Sequence, residues 1–352
     1  MPLDPFFQQS HIFHRAFDKK PLHVVSADGL TLTLDSGRQV LDATGGPAVA
    51  CLGHNQPEVA DAVTKQLQTV SYLFSGGGYS ERATEELAAT ILKDAPGGLS
   101  KAIFLNSGSE ATDTTLKLII QYWHAKGEPQ RVNFIARKQS YHGNTIGGLC
   151  ISGHKSRRAI YGNLLSKHVS FVDPCYAYRN KLSGETDAEY VQRLKQQLDD
   201  EFQARGPETV AAFFAETISG STLACVPAVP GYFQAVQAVC DKYRALLVLD
   251  EVESCPPCVC VSMTDRSLPD HVRNGSKWHD ARMATRGNPR SRHPNGRQVA
   301  RWRIHSPLRC FGAPKGIRHR GERFPKSRRR PHVPGLYLCV SHSTGPCSRF
   351  DA

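Results

Sequence analysis

Between residues 57 and 252 the chain switches repeatedly between two hydrophobic periods, one of helix and one of buried strand. Pro57-Glu58 opens a helix expected to run to about residue 70, with proline in the first turn and an acid early. A second helix is expected over 80–93, begun by Ser80 and ended before Pro96-Gly97-Gly98. Residues 102–105 read as a strand and 111–124 as an amphipathic helix. Apolar runs at 132–136, 168–172, 210–215 and 245–249 read as further strands, with helices over 187–203 and 232–243 between them. Strands apolar throughout and separated by helices predict a mostly parallel sheet covered on both faces, the three-layer α/β/α class. In such sheets ligands sit beyond the carboxyl ends of the strands, so the chemistry is sought there.

Composition divides the chain. A net charge of +12 points to a nucleic-acid or membrane partner only where it is spread evenly. Residues 253–352 hold 20 Lys+Arg against 6 Asp+Glu, leaving 24 basic and 26 acidic side chains in the first 252. The same stretch holds 11 of the 22 prolines and 6 of the 11 cysteines. Two kinds of sequence are therefore joined near residue 252, and the first is long enough to bury a full core. No stretch is long and apolar enough to span a bilayer, and the opening residues, with Asp4 and two prolines, do not read as a signal peptide. Cys51, Cys150, Cys175, Cys225 and Cys240 are scattered and apolar-flanked, as expected of reduced core thiols in a cytoplasmic protein.

Three strand ends carry candidate chemistry. Asn106-Ser107-Gly108-Ser109-Glu110-Ala111 is a small-residue turn opening directly into a helix. Free N–H groups and the positive end of the helix dipole suit such a junction to phosphate, with Ser107 and Ser109 adding hydroxyls. A plain N-cap by Ser107 or Ser109 explains the same residues. Tyr141-His142-Gly143-Asn144-Thr145 follows another strand, and its aromatic is either a stacking platform for a planar ring or a buried tyrosine with a satisfied hydroxyl. Asp250-Glu251-Val252 ends the last strand, where two carboxylates suit a ligand but also a solvated surface.

Taken together, residues 104–111, Tyr141-His142-Gly143-Asn144-Thr145, Glu216 and Asp250-Glu251-Val252 resemble class-III aminotransferases in order and spacing. Asp42-Ala43-Thr44-Gly45-Gly46 and Cys51-Leu52-Gly53-His54-Asn55-Gln56-Pro57 are similar to the family's N-terminal segment. The resemblance implies a transaminase of the aspartate-aminotransferase fold, fold type I, with pyridoxal 5'-phosphate (PLP) as cofactor. Its substrates would be a small-molecule amino donor and a keto-acid or aldehyde acceptor. It implies that Ser107, Gly108 and Ser109 hold the cofactor phosphate, that Tyr141 stacks on one face of the pyridine ring, and that Val252 packs the other. His142 stands beside the ring in the motif, and Asp250 would pair with the ring nitrogen and keep it protonated, the electron sink of the reaction. Glu216 matches an acid near the cofactor, although Thr217-Ile218-Ser219-Gly220 stands where Pro-Val-x-Gly is more usual. By the same resemblance, residues 1–60 are the N-terminal segment of a small domain and 61–252 an incomplete PLP-binding large domain. An intact member is expected to be a homodimer with Gly45 and Gly46 near the subunit contact.

The resemblance stops at residue 252. The family's Schiff-base lysine lies on a glycine-rich turn some tens of residues after the position of Asp250. Lys277 is at a tempting distance, but Trp278-His279-Asp280 follows it, and it reads as a decoy; Lys315 and Lys326 fare no better. No catalytic residue is identified in the chain as written, which is expected to be inactive. Residues 253–352 show neither helical nor strand periodicity and are expected to be a disordered, non-homologous tail that leaves the sheet with an uncovered edge.

Back-translation with one nucleotide dropped from Asp270 onward permits Ile-Met-Cys-Gly-Thr-Gly-Arg-Asn-Gly-Thr-Met-His-Ala-Trp-Gln-Gln, with the Trp forced by Met283. The codons of residues 297–306 permit Gly-Lys-Trp-Leu-Gly-Gly-Gly-Phe-Ile-Pro in the same frame, the lysine codon straddling Gln298 and Val299. Both strings resemble the family's continuation. The 55 nucleotides from the codon of Val252 to the first nucleotide of Asp270 can begin with GT and end with AG, as a retained intron would.

Other classes fit less well. Arg318, Arg320, Arg323, Lys326 and Arg328-Arg329-Arg330 form a basic run without interleaved aromatics, a weak signal for nucleic acid. Cys255, Cys258, Cys260 and His271 lack a second CxxC pair for zinc, and no metal is expected. An aminomutase, racemase or decarboxylase on the same scaffold shares the cofactor motifs and stays open.

Overall fold

The computed structural model describes residues 6, 9–16, 18–43, 45–93, 99–252, 259–264 and 335–340, the last two stretches in their backbone only. All belong to one of two compact units, Met1–Ser276 with Pro334–Ala352; the other, Lys277–Val333, lies outside the described residues. Strands β1 (Val24–Asp28), β2 (Thr31–Leu34) and β3 (Gln39–Leu41) form an antiparallel meander. Helices α1 (Pro57–Thr69) and α2 (Arg82–Leu92) follow, and neither contains a buried residue. The cap of α2 is Glu81 rather than the expected Ser80: its carboxylate accepts N–H bonds from Ala83 at 3.0 Å and Thr84 at 3.1 Å. Those bonds hold the Glu81 carboxyl below its usual range.

The main body runs β4 (Leu99–Leu105), α3 (Gly108–Ala125), β5 (Asn133–Arg137), α4 (Ile146–Ile151), β6 (Val169–Val172), α5 (Asp187–Arg205) and β7 (Val210–Glu216). A small hairpin of β8 (Ile218–Ser219) and β9 (Val226–Pro227) precedes α6 (Tyr232–Tyr243) and β10 (Leu246–Asp250). Strands β10, β7, β5 and β6 pair in parallel in that order. Successive strand residues point to opposite faces, and the sheet uses both. Ile135, Phe213, Ala215, Leu247 and Leu249 pack with α5 and α6, whereas Phe134, Ala136, Ala212, Phe214, Leu246 and Val248 pack with α3. This is the expected three-layer α/β/α arrangement. Each fully buried large side chain in these layers contributes about 1.5–3 kcal/mol.

Polar fastening is concentrated on Arg131, which is buried. Its guanidinium donates to Glu128 Oε2 at 2.7 Å, the Val210 carbonyl at 2.7 Å and the Tyr243 carbonyl at 3.1 Å. It lies 4.3 Å from the centre of the Trp123 ring, whose Nε1 donates to the Ala211 carbonyl at 3.0 Å. Helix α5 starts with a full capping box between Thr186 and Glu189.

The tail departs from expectation at two places. Strands β11 (Val259–Thr264) and β12 (Gly335–Val340) complete the sheet in the order β4-β12-β11-β10-β7-β5-β6. β11 is antiparallel to β10 and β12, and β12 is parallel to β4. The edge of β10 expected to lie open is therefore paired. Both segments are short apolar runs, and the unpaired N–H and C=O groups of a strand edge offer such runs a template. The rest of the tail, with Cys255, Cys258, His271, Lys277, Lys315, Lys326 and the basic run, lies outside the described residues. The cysteine expectation holds for Cys150, Cys175 and Cys240, which are buried thiols, but not for Cys51 and Cys225, which are exposed. Burial pushes the Cys175 thiol up. No helix among the described residues is long and apolar enough to cross a membrane, and none of their side chains form a metal-binding group of three or more.

Candidate active site

The carboxyl ends of β7 and β10 are flush, with Glu216 opposite Asp250 in register. Both side chains are buried. His142 Nδ1 stands 2.8 Å from Asp250 Oδ2, and the backbone N–H of Val252 donates to Asp250 Oδ1 at 3.1 Å. The backbone N–H of His142 donates to Ser152 Oγ at 2.8 Å, and Ser152 Oγ donates to the Gly148 carbonyl at 2.7 Å. Phe214 meets the imidazole edge to face at 6.1 Å. Nε2 of His142 is buried without a hydrogen-bond partner among the described residues, a condition that costs about 1–3 kcal/mol.

Helix α3 begins at the carboxyl end of β4, where Ser107 is the N-cap and its hydroxyl accepts the Glu110 N–H at 3.2 Å. Glu110 reaches back to accept the Asn106 N–H at 2.7 Å. The plain capping role is thus realised at Ser107, while Gly108 and Ser109, in the first turn, have no helical carbonyl for their own N–H groups. Their position at the positive end of the helix suits an anion. Ser109 Oγ accepts the Asn144 N–H at 2.8 Å, joining this turn to the Tyr141 loop.

Two glycines are needed for the approach of these loops. A Cβ on Gly108 would stand 3.0 Å from a Val252 methyl. One on Gly143, whose φ is +133°, would stand 2.9 Å from Ser109 Cα. The three motifs widely separated in sequence therefore touch: Gly108 meets Val252, Ser109 meets Asn144, and His142 meets Asp250.

Tyr141 is half-buried, with the Arg157 guanidinium 4.4 Å from its ring centre. Glu216 is enclosed by groups that its motif did not announce. The Arg137 guanidinium donates to the Glu216 carbonyl at 2.6 Å and to Ser219 Oγ at 3.0 Å, and lies 4.0 Å from Glu216 Oε2. Gly45 falls in the N-terminal segment, where its N–H donates to Asp42 at 2.9 Å. Arg137, Ser152 and Arg157 were missed by motif reading; a cation ending an otherwise apolar strand was the available signal for Arg137.

An anion-accepting helix terminus, an aromatic and a buried carboxylate that accepts N–H bonds are a donor and acceptor set for an anionic, planar, nitrogen-bearing ligand. Comparison with known proteins agrees. The sequence model of the class-III aminotransferase family matches residues 12–255. The chain is 48% identical over 247 residues to an uncharacterized aminotransferase of Schizosaccharomyces pombe, covering 70% of this chain and 54% of that one. It is 46% identical over 239 residues to an aminotransferase of Gibberella zeae, covering 66% and 46%. Among solved structures, the omega transaminase of Pseudomonas jessenii in complex with PMP matches with a TM-score of 0.66 at 30% identity, over 70% of this chain and 55% of that one. The chain spans about half the length of the curated relatives it matches. That family is PLP-dependent, and this chain belongs to it: it is a class-III aminotransferase family member.

Proposed function

We propose that residues 12–255 form most of the cofactor-binding part of a PLP-dependent transaminase. Its reaction moves an amino group from an amine or amino acid to a keto acid or aldehyde. The observation that carries this reading is the meeting of the α3 N-terminus, the Tyr141 loop and Asp250 at the carboxyl ends of β4, β5 and β10. The residues present fit the cofactor. The N–H groups of Gly108 and Ser109 would receive its phosphate, and Tyr141 would take its ring. Asp250 would accept the ring N–H, with Val252 packed beside it. Glu216, tied to Arg137 and Ser219, would close the β7 side of the site. When bound, the cofactor supplies an electron sink for the bond broken at the substrate carbon. This chain's own residues bind, orient and hold the proton on the ring nitrogen.

The proposal extends to what the chain as written omits. After Asp250 it contains no lysine on a glycine-rich turn, so the covalent attachment and the proton shuttle it performs are missing. We take the family's continuation to be encoded in the shifted frame, behind a retained intron. A homodimer and a small domain beginning within residues 1–60 belong to that intact product.

Sequencing the spliced transcript across the codons for Asp250 to Gly275 tests the extension. Absence of the 55 nucleotides joins Glu251 to the lysine-bearing frame. Their presence in all mature message would refute the intron. For the activity itself, the chain as written should give no product above a cofactor-only control with amine donors and keto acids, whereas the shifted-frame product should turn over. Turnover by the former, or none by the latter with any donor, would count against the reading.

A further inference from the structure

Strand β4 carries the Ser107-Gly108-Ser109 turn, and it enters the sheet through the tail. Among the described residues its strand partner is β12, which pairs with β11, and β11 pairs with β10. Both tail strands lie beyond residue 255, where the match to the family ends. We infer that β11 and β12 are positioning elements of the site. They hold the phosphate turn against Val252, so that the chain as written, without its lysine, still binds the aminated form of the cofactor; this rests on the cofactor reading proposed above.

The register is continuous from one side of the site to the other. Asp250 stands opposite Val261, Val261 opposite Leu338, and Leu338 opposite Ile103. Strand spacing makes that row about 14 Å wide. From Leu336 opposite Lys101 the β12–β4 pairing advances residue by residue to Val340 opposite Leu105, and Asn106 opens the turn directly after it. Helix α3 then lies along β4 and both tail strands, and its first residue, Gly108, meets Val252. Helices α2 and α3 lie against β4, but neither offers it a ladder of N–H and C=O groups. A slip of one residue along β12 would carry the turn about 3.3 Å. That is enough to break the Ser109–Asn144 hydrogen bond, 2.8 Å long, and to part Gly108 from Val252. Tyr141 and Asp250 belong to β5 and β10, which pair with β7 and do not need the tail. The tail therefore acts on the phosphate end of the ligand rather than on its ring.

The test uses the full chain with pyridoxamine 5'-phosphate and with pyridoxamine, which lacks the phosphate; neither has an aldehyde to react with surface lysines. Amide hydrogen exchange reads the ladder, and calorimetry reads the two affinities. In the wild type, the amides of residues 336–340 should exchange at least about tenfold slower than in an unstructured peptide. The phosphate should improve binding by at least about tenfold, the scale of one charge-assisted hydrogen bond. Leu338→Pro removes a ladder N–H and should bring the two affinities within about twofold of each other, while residues 210–216 and 246–250 stay protected. Leu338→Val keeps the backbone ladder and should retain the preference. No preference in the wild type, or an undiminished one in L338P, overturns the inference, as does an equal loss of both ligands, which would mark a purely structural role. Unprotected amides at 336–340 in a wild type that binds pyridoxamine 5'-phosphate overturn the inference alone. Protected amides in a wild type that binds neither ligand overturn the cofactor reading, and the inference with it. Should L338P fail to melt cooperatively, wild-type exchange with and without pyridoxamine 5'-phosphate decides the matter. The ligand should slow residues 336–340 further, because a ligand that needs the pairing stabilises it, and an unchanged rate overturns the inference.

Discussion

Helices α1 and α5 have the same kind of sequence and different fates. Both are amphipathic, both begin with an acid in the first turn, and α5 buries Tyr190, Val191, Leu194, Leu198 and Phe202. α1 buries nothing, and Leu67 on it is 56% exposed. The contrast extends to the regions around them. Among the described residues before Leu99, Leu34 is the buried apolar side chain, whereas β7 and β10 are buried along their whole lengths. An apolar stripe specifies that a helix forms and which way it faces. Whether the stripe stabilises the fold depends on a second surface being there to cover it.

The sharpest way to break this comparison is a matched pair of substitutions. Leu198→Ala should cost about 2–5 kcal/mol through lost burial and a residual cavity. Leu67→Ala, the same chemical change on α1, should stay within about 0.5 kcal/mol. Urea midpoints of the two variants check this, and equal losses would show that α1 is covered in solution. Next in size is Arg131→Met, expected to cost roughly 2–3 kcal/mol because it leaves the buried Val210 carbonyl and the half-buried Tyr243 carbonyl without this donor, while Glu128 keeps its pair with Arg244. A midpoint unchanged from wild type would remove Arg131 from the account of the core. Thr186→Ala, which deletes the capping box of α5, should cost about 1 kcal/mol by the same assay.

The smallest effect is one of pH. Hydrogen bonds from Arg193 hold the Glu185 carboxyl down to about 2, from an ordinary 4.5. A carboxyl whose folded value lies below its unfolded one favours the folded state above about pH 4.5, and that advantage is lost as pH falls toward 2. Arg193→Gln should therefore flatten the fall in urea midpoint between those pH values, relative to wild type. An identical slope would show that the pair does not form in solution.

Much of the large domain was legible in the chain because its signals are local. The helix over 232–243 is observed at Tyr232–Tyr243, and the strand at 210–215 extends by the single residue Glu216. Boundaries moved where a side chain other than the expected one capped a helix, as Glu81 did. The site was legible as three motifs, and the structure brings them together. What the sequence could not show was the second ring of contacts. Arg137 takes its partners from residues 79 and 82 positions away, and His142 finds Asp250 across 108. No window of sequence contains both members of such a pair. Strands β11 and β12 escaped for a different reason: their runs of six residues are too short to stand out within a polar, proline-rich stretch.

The adjacent rings of Phe213 and Phe214 lie in different hydrophobic layers, one with α5 and α6 and the other with α3. β7 is thus read from both sides at once; β10 pairs with it residue by residue, and β5 does so from Ala212 onward, after a one-residue shift in register between Val210 and Ala212. Adding or removing one residue beyond Ala212 would send every following side chain to the opposite layer and pull Glu216 out of line with Asp250. The spacing of this strand is therefore a constraint separate from its composition. Many apolar substitutions preserve its chemistry, but none can compensate for a change in its length.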